Sequence, residues 1–391
     1  MKLGSLIKSV LASTALWTLA DIAVAAPTCK YLTGATNGTV PLQVSAITVG
    51  RNVAIGSEVY RQSFKIAPNK APKVSCTYDA SFQIKGTFQV GSLAKKANWS
   101  GGKYANQVYE TNIDGLGVAI VSRYGVLPAS FSARIEEVAG DGSTCPRSGI
   151  CNFHYDGISG GVNAGYMSYD LVFIKIGDVK PGRLQGASIP TMIMSVQFDN
   201  IPMRGLTINM EGGIDIVSRT CSTPDVVVPM GTHLTTVFAN QGSASDWKDV
   251  PIALINCPAF HGMYTSNAPG WISQGGQNAG GKGVTGTADK NDLAFRIDPV
   301  RTVINTSRGA VLSLDPSVGG GAPAASGVGV QIATKDGVTL PLRREVSSGV
   351  SLQPREGSYT ILLRARYLRT STQQVTPGPA NASATFTIIY R

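Results

Sequence analysis

Short runs of alternating apolar and polar residues recur along almost the whole chain, separated by glycine, proline, asparagine and aspartate. Clear examples are MIMSVQF at 192–198, GVGVQIA at 327–333 and SYTILLRARYL at 358–368. This alternation is the period of a strand with one buried face, and helical periodicity is nearly absent. With 45 Gly, 21 Pro and only 15% charged residues, the chain is predicted to be all-β, built of sandwiches or barrels.

The first residues have the pattern of a secretory signal peptide. Lys2 and Lys8 precede or flank an apolar run that ends before Asp21, and Ala23-Val24-Ala25 fits a small-residue cleavage site. The run is too short to span a bilayer as a helix. We therefore expect residues 1–25 to be a signal peptide and the mature chain to be exported.

Export determines how the cysteines are interpreted. An even number of cysteines in an oxidising compartment favours disulfides over metal ligands or catalytic thiols. Many pairings are possible, and pairing in sequence order is the most economical. The predicted bridges are Cys29–Cys76, Cys145–Cys151 and Cys221–Cys257.

A domain boundary is predicted near EGGIDIVSRTC at 211–221, where a strand pattern gives way to glycines and a new cysteine follows. Residues 26–216 and 217–391 are each the size of one sandwich domain. Within the second domain, GGQNAGGKG at 275–283 and GGGAPAASG at 319–327 are predicted to be flexible loops.

The histidines of the chain do not form a common catalytic motif. None of the three lies in an H-E-x-x-H pattern. ADKNDLAF at 288–295 begins like a calcium loop but lacks the later glycine and glutamate, so we interpret it as a polar turn. The formal charge of +10 is scattered without long runs. We expect no enzyme activity, cofactor, metal or nucleic-acid partner.

The second domain resembles the pilin domains of chaperone-usher fimbriae. The resemblance rests on CSTPDVVVPMGTH at 221–233, the cysteine of DVPIALINCP at 249–258, the block at 325–342 and the tail GPANASATFTIIYR. The family's tail carries a glycine fourteenth from the end and a penultimate aromatic. Gly378 and Tyr390 match these two positions.

The first domain resembles the receptor-binding domain of two-domain tip adhesins, particularly those of the type 3 fimbrial kind. YETNIDGLGVAI at 109–120 and DLVFIKIGDVKPGRLQG at 170–186 carry this resemblance. The segment from about 123 to 169 matches no pattern of that family.

The resemblance implies an immunoglobulin-like pilin sandwich that lacks its final strand and exposes an apolar groove. A periplasmic chaperone, and then an adjacent fimbrial subunit, would fill the groove by strand addition, with an outer-membrane usher directing assembly. Only three residues of the mature chain precede Cys29, too few for a donor arm, so we expect a position at the fimbrial tip on the cell surface. The groove residues implied are Gly378, Ala384, Phe386, Ile388 and Tyr390.

Two clusters are candidates for receptor binding, since aromatic faces and carboxylates on loops suit a glycan. The candidates are Trp99 and Tyr104 in the stretch 95–110, and Asp141, Arg147, Tyr155 and Asp156 in the stretch 140–157. The basic balance favours an acidic glycan or a matrix protein such as collagen. Two alternatives stay open: a minor or shaft subunit without receptor binding, and an outer-membrane β-barrel protein.

Overall fold

The all-β prediction is confirmed. The structure, a computed structural model, describes residues 28–32, 36–67, 70, 72–78, 82–135, 149–154, 168–274, 280–317, 319 and 321–391. In these ranges the regular elements are strands, together with short 3-10 turns at Gly102–Tyr104, Gly186–Ser188 and Thr235–Phe238. None of the helical turns in the described ranges is long and apolar enough to cross a membrane.

The described residues up to Val217 form what we call the N-terminal lobe. Its strands are β1 (Thr28–Tyr31), β2 (Thr36–Pro41), β3 (Ala46–Thr48), β4 (Glu58–Ile66), β5 (Lys73–Tyr78), β6 (Phe82–Val90), β7 (Tyr109–Glu110), β8 (Leu116–Ser122), β9 (Gly125–Val126), β10 (Ala129–Ile135), β11 (Gly149–His154), β12 (Tyr169–Lys175), β13 (Gly182–Gln185), β14 (Met192–Phe198), β15 (Ile201–Glu211) and β16 (Gly213–Val217).

The described residues from Ser218 onwards form the C-terminal lobe. Its strands are β17 (Lys248–Cys257), β18 (Met263–Asn267), β19 (Gly270–Ser273), β20 (Gly281–Val284), β21 (Thr287–Asp289), β22 (Leu293–Pro299), β23 (Val303–Thr306), β24 (Gly309–Leu312), β25 (Val328–Thr334), β26 (Val346–Ser347), β27 (Gly357–Arg369) and β28 (Ala384–Tyr390).

The N-terminal lobe is built around two main sheets. One has the strand order β10-β6-β14-β15-β2. The other has the order β20-β19-β4-β12-β8-β7, in which β20 and β19 come from the C-terminal lobe. The strand β14 alternates buried and half-buried residues, as expected for a sheet with one covered face. In contrast, β12 is buried along nearly its whole length because both of its faces are covered: Leu171 and Phe173 lie in the main core, and Val172 lies in a second apolar cluster. The two smaller sheets, β1-β5-β11 and β13-β16-β3, complete the lobe.

The core of the N-terminal lobe is aromatic. Its largest fully buried side chains include Tyr60, Phe64, Phe88, Phe173 and Phe198. Tyr60 stacks on Phe173 with ring centroids 5.2 Å apart, which favours this packing beyond simple burial. A disulfide joins Cys29 to Cys76 across β1 and β5.

The C-terminal lobe packs two sheets face to face. The strand orders are β17-β27-β25-β24-β23 and β26-β22-β28. Buried side chains from both sheets, among them Leu254, Phe295 and Ile361, form one core. The second disulfide, Cys221–Cys257, lies in this core. Two of the three bridges proposed from the sequence are thus present, and Cys145 of the third lies outside the described residues.

A hairpin of the C-terminal lobe crosses to the N-terminal lobe. The strand β19 runs parallel to β4, with Gly270 opposite Ser63 and Ser273 opposite Ile66. β18 meets β4 at the pair Tyr264 and Tyr60. We call residues 263–289 the crossing segment. It covers one edge of the β4 sheet. The two lobes are therefore joined by strand pairing as well as by the continuous chain at residues 218–220.

Parts of the chain fold differently from the sequence expectations. GGQNAGGKG was expected to be a flexible loop, yet its last residues, 281–283, belong to β20, which pairs with β19. In ADKNDLAF, Asp289 accepts hydrogen bonds from the Thr265 backbone N–H at 2.8 Å and from the Ser266 N–H at 3.0 Å. This carboxylate holds the crossing segment together, as expected for a polar turn.

Candidate functional site

The last strand, β28, lies at the edge of its sheet. It pairs with β22 on one side, with Leu293 opposite Tyr390 and Pro299 opposite Ala384. On its other side, no strand of the described chain pairs with it. An unpaired edge presents backbone N–H and C=O groups that can accept another strand.

The register shows which backbone groups are free. Arg391 and Asp292 exchange both backbone hydrogen bonds, at 2.9 and 2.8 Å. Because hydrogen-bonded positions alternate in an antiparallel pair, the odd-numbered residues of β28 bond to β22. The N–H and C=O groups of Ala384, Phe386 and Ile388 therefore point to the open side.

An apolar groove of about 780 Å³ lies beside this open edge. Its walls come from both sheets of the C-terminal lobe and from the segment 226–238, which forms no strand. The apolar side chains that line it include Val226, Met230, Val250, Ile252, Ile297, Leu312, Val328, Val330, Ile332, Leu363, Tyr367, Ala382, Ala384 and Phe386. The groove is therefore a gap in the sandwich core, open along one edge.

The groove residues proposed from the tail occupy three different environments. Ala384 and Phe386 line the groove itself, and Ile388 packs partly buried against the core of the C-terminal lobe. Tyr390 is buried, and its hydroxyl accepts a hydrogen bond from the Cys221 N–H at 3.2 Å. This burial raises the pKa of Tyr390. The penultimate aromatic thus anchors the strand to the disulfide.

Gly378 lies where the chain turns back towards the groove. A side chain there would overlap the carbonyl oxygen of Pro323 and the backbone of Ala324 and Ala325. The Ala325 N–H donates to the Pro379 carbonyl at 2.9 Å. Close approach of these two backbones explains the glycine at this position.

The N-terminal lobe closes one end of the open edge. The Asn52 N–H donates to the Tyr390 carbonyl at 2.9 Å, and the Tyr390 N–H donates to the Asn52 side-chain oxygen at 3.1 Å. We call this pair of bonds the Asn52 clasp. No pattern in the sequence indicated this contact, because the two residues are far apart in the chain.

The first receptor-binding candidates lie around a polar network on β4. Tyr104 is only 3% exposed, and its hydroxyl donates to the Glu58 carboxylate at 2.6 Å. Its ring is therefore not accessible for stacking against a sugar. Trp99 is half-buried, and a side chain at Gly101 would meet its indole at 2.9 Å. The indole of Trp99 thus packs closely against the backbone of Gly101.

The sequence patterns did not identify a charged network next to Tyr104, formed by Glu58, Arg61 and Asp170. Arg61 bonds Glu58 at 2.7 Å and Asp170 at 2.6 Å. Burial raises the pKa of Glu58, but hydrogen bonds from Tyr104 and Arg61 outweigh it and lower the pKa overall. Since the members of this network satisfy one another, it mainly fixes the Trp99 loop on β4.

The second receptor-binding candidates cannot be placed. Asp141, Arg147, Tyr155 and Asp156 lie outside the described residues.

Among the described residues no group of three or more side chains could hold a metal ion.

Comparisons with known proteins found similarity to fimbrial proteins. Residues 208–391 match the family described as fimbrial protein. The type-1 fimbrial protein A chain of Escherichia coli K12 is 29% identical over 194 residues, covering 48% of this chain and 85% of that protein.

Two solved structures are also similar. The CupB6 tip adhesin of Pseudomonas aeruginosa is 12% identical with a TM-score of 0.35, covering 92% of this chain and 93% of that one. The receptor-binding domain of the adhesin MrkD1P of Klebsiella pneumoniae is 15% identical with a TM-score of 0.31, covering 50% of this chain and 99% of that one.

Proposed function

We propose that the chain is a tip adhesin whose C-terminal lobe accepts a strand from another protein and whose N-terminal lobe binds a receptor. One observation carries the first half of this proposal: the open edge of β28 runs along the apolar groove. The side chains of Ala384 and Phe386 line the groove, and their free backbone groups point out of the open edge. An incoming strand can therefore pair with the backbone and fill the groove with alternate side chains.

The proposed partners are those that the resemblance to chaperone-usher fimbriae implies. An open apolar edge is an aggregation hazard in an exported protein, so it needs a cover from the moment of export. A periplasmic chaperone is the proposed first cover. The donor strand of the adjacent subunit replaces it when an outer-membrane usher assembles the fibre, and the completed subunit lies on the cell surface.

Expression with and without the cognate chaperone tests the strand-accepting role. The mature chain alone is expected to aggregate or be degraded, and the chaperone should rescue it as a one-to-one complex. In that complex, hydrogen exchange at Phe386 and Ile388 should become slow, while Thr385 and Thr387 are already protected by β22. A stable monomer whose Phe386 amide exchanges equally in both forms would refute the proposal.

The N-terminal lobe is the proposed receptor-binding part. The fimbrial family match begins only at residue 208, which leaves a separate aromatic core and several sheets without an assembly role. The proposed contact surface lies around Trp99, together with Asp141, Arg147, Tyr155 and Asp156. The proposed receptor is an acidic glycan or a matrix protein.

An array of glycans and matrix proteins probed with the chaperone-bound full chain tests receptor binding. Trp99→Ala should reduce binding to the receptor identified by about tenfold, because a stacked aromatic contributes about 1 kcal/mol or more. Trp247→Ala is the matched control, since Trp247 is a half-buried tryptophan in the other lobe. Equal loss in both variants would argue against a site at Trp99.

A further inference from the structure

A cleft of about 470 Å³ lies at the junction of the two lobes. Its walls are the segment 49–51 after β3, the segment 175–181 at the end of β12, and the linker residues 218–220. It is separate from the groove beside β28, and nothing proposed above uses it.

The floor of this junction cleft contains a buried lysine. Lys175 is 3% exposed, and its ammonium donates to the carbonyls of Arg51 at 2.6 Å and Gly50 at 3.3 Å. An ammonium has three N–H donors, so one remains for a further partner. In the described residues it forms no ion pair with a carboxylate within 4.0 Å. Burial lowers the pKa of Lys175, and the charge of Asp178 opposes this shift.

A serine in the same cleft lacks a partner. The hydroxyl oxygen of Ser218 is inaccessible to solvent and has no hydrogen-bond partner in the structure. Ser218 also lines the junction cleft. A buried hydroxyl without a partner is unfavourable, and a ligand oxygen in the cleft would satisfy it.

The charges around the cleft have one predominant sign. Three more basic side chains line it, Arg51, Lys180 and Arg219, against the single acid Asp178. Arg219 lies 3.5 Å from Glu356, with both side chains well exposed, so this pair neutralises little of the cleft's charge. Arg51 and Lys180 form no ion pair within the described part of the chain.

We propose that the junction cleft binds an oxyanion, a sulfate, phosphate or carboxylate group, held by the Lys175 ammonium and the Ser218 hydroxyl. Arg51 and Lys180 supply further charge-assisted hydrogen bonds at the cleft mouth. The site is independent of strand addition at β28. Because the linker forms one wall, a bound anion contacts both sides of the junction and stabilises the assembled lobes.

Calorimetric titration of the full mature chain, as its chaperone complex, with inorganic sulfate at constant ionic strength tests this site. Wild type should bind sulfate saturably, and its unfolding midpoint should rise with sulfate. Ser218→Ala and Lys180→Ala should each bind about tenfold more weakly, since a hydrogen bond to a charged group is lost. Lys85→Ala, which removes an exposed lysine of β6, is the charge-matched control and should bind like wild type.

The Ser218→Ala variant also separates a ligand role from a structural one. Without sulfate its unfolding midpoint should not fall, because the hydroxyl has no partner to lose. No saturable binding by wild type, or equal weakening in Lys85→Ala, would overturn the site. A second titration with a sulfated disaccharide identifies the source of the oxyanion: tighter binding than sulfate indicates an acidic glycan, and equal or weaker binding indicates a free ion.

Discussion

The two lobes treat an exposed sheet edge in opposite ways. In the N-terminal lobe, the edge of β4 is covered by β19, a strand that the same chain supplies from far along its sequence. In the C-terminal lobe, the edge of β28 is left open beside an apolar groove. A β-sheet edge must be covered or made unattractive to avoid uncontrolled pairing. On the strand addition proposed above, the N-terminal lobe completes this edge within the chain, and the C-terminal lobe receives its missing strand from a partner.

The open edge should be the more sensitive of the two to a charge. Phe386→Asp places a carboxylate in the apolar groove, where an unpaired charge is strongly unfavourable. We expect loss of the chaperone complex and of incorporation into fimbriae, measured by co-purification and by fimbrial yield. Thr385→Lys, at an exposed position of the same strand opposite Asp298, should leave both nearly unchanged. Equal defects in both variants would show that the strand, and not the groove, was damaged.

The stability of the N-terminal lobe should depend on the crossing segment, which covers its β4 edge. Residues 28–217 alone leave the β4 edge uncovered, so we expect a less stable and more aggregation-prone fragment than one with residues 263–289 fused to it. Trp271 packs against the N-terminal core. Trp271→Ala in the fused fragment should cost about 2 kcal/mol, measured by urea unfolding. If both fragments have the same unfolding free energy, the crossing segment is not part of the N-terminal fold.

Removal of the side-chain bond of the Asn52 clasp should lower the unfolding free energy by less than the changes above. Asn52→Ala removes the acceptor of the Tyr390 N–H and keeps the backbone bond. We expect a loss of about 1 kcal/mol in unfolding free energy, measured on the chaperone complex by denaturant unfolding. Arg51→Ala alters the neighbouring exposed side chain and serves as a control. A loss no larger than in that control would mean that water replaces the side chain freely.

The smallest expected effect is a pH dependence at Asp289 in the crossing segment. Burial raises its pKa, but hydrogen bonds from Thr265 and Ser266 lower it to about 2. Because the folded-state pKa lies below that of the unfolded chain, the stabilisation is full above about pH 4 and is lost as the pH falls towards 2. Asp289→Asn should remove less than about 1 kcal/mol at neutral pH, since the group is largely solvated. The difference in unfolding free energy between Asp289→Asn and wild type should shrink as the pH falls. A difference that stays constant with pH would show that the Asp289 carboxylate is not its cause.

The alternation of apolar residues predicted the strands with one covered face. The groove positions Ala384 and Phe386 were implied by the resemblance of the tail to pilin domains, whereas the strands β14, β25 and β27 follow from alternating apolar positions. Such positions are determined by local sequence, because the period of two directs them to one side of the sheet.

The central strand β4 was missed because polar residues occupy buried positions in it. Gln62 is 2% exposed, yet its side chain is fully engaged: it accepts from the Tyr60 hydroxyl at 2.6 Å and donates to the Pro41 carbonyl at 3.0 Å. A satisfied buried amide breaks the hydrophobic pattern without destabilising the strand. With β4 unrecognised, the Glu58–Arg61–Asp170 network and the crossing strand β19 could not be predicted either, since both depend on contacts between distant residues.

The Asn52 clasp gives the groove a direction. At Tyr390 the backbone of β28 is already occupied by the N-terminal lobe, while at Ala384 the edge continues freely into solvent. A strand that pairs with β28 can therefore extend only past Ala384, and the folded body attached to it must lie on the side away from the N-terminal lobe. If strand addition occurs as proposed, this geometry places the N-terminal lobe at the end away from the partner's folded body.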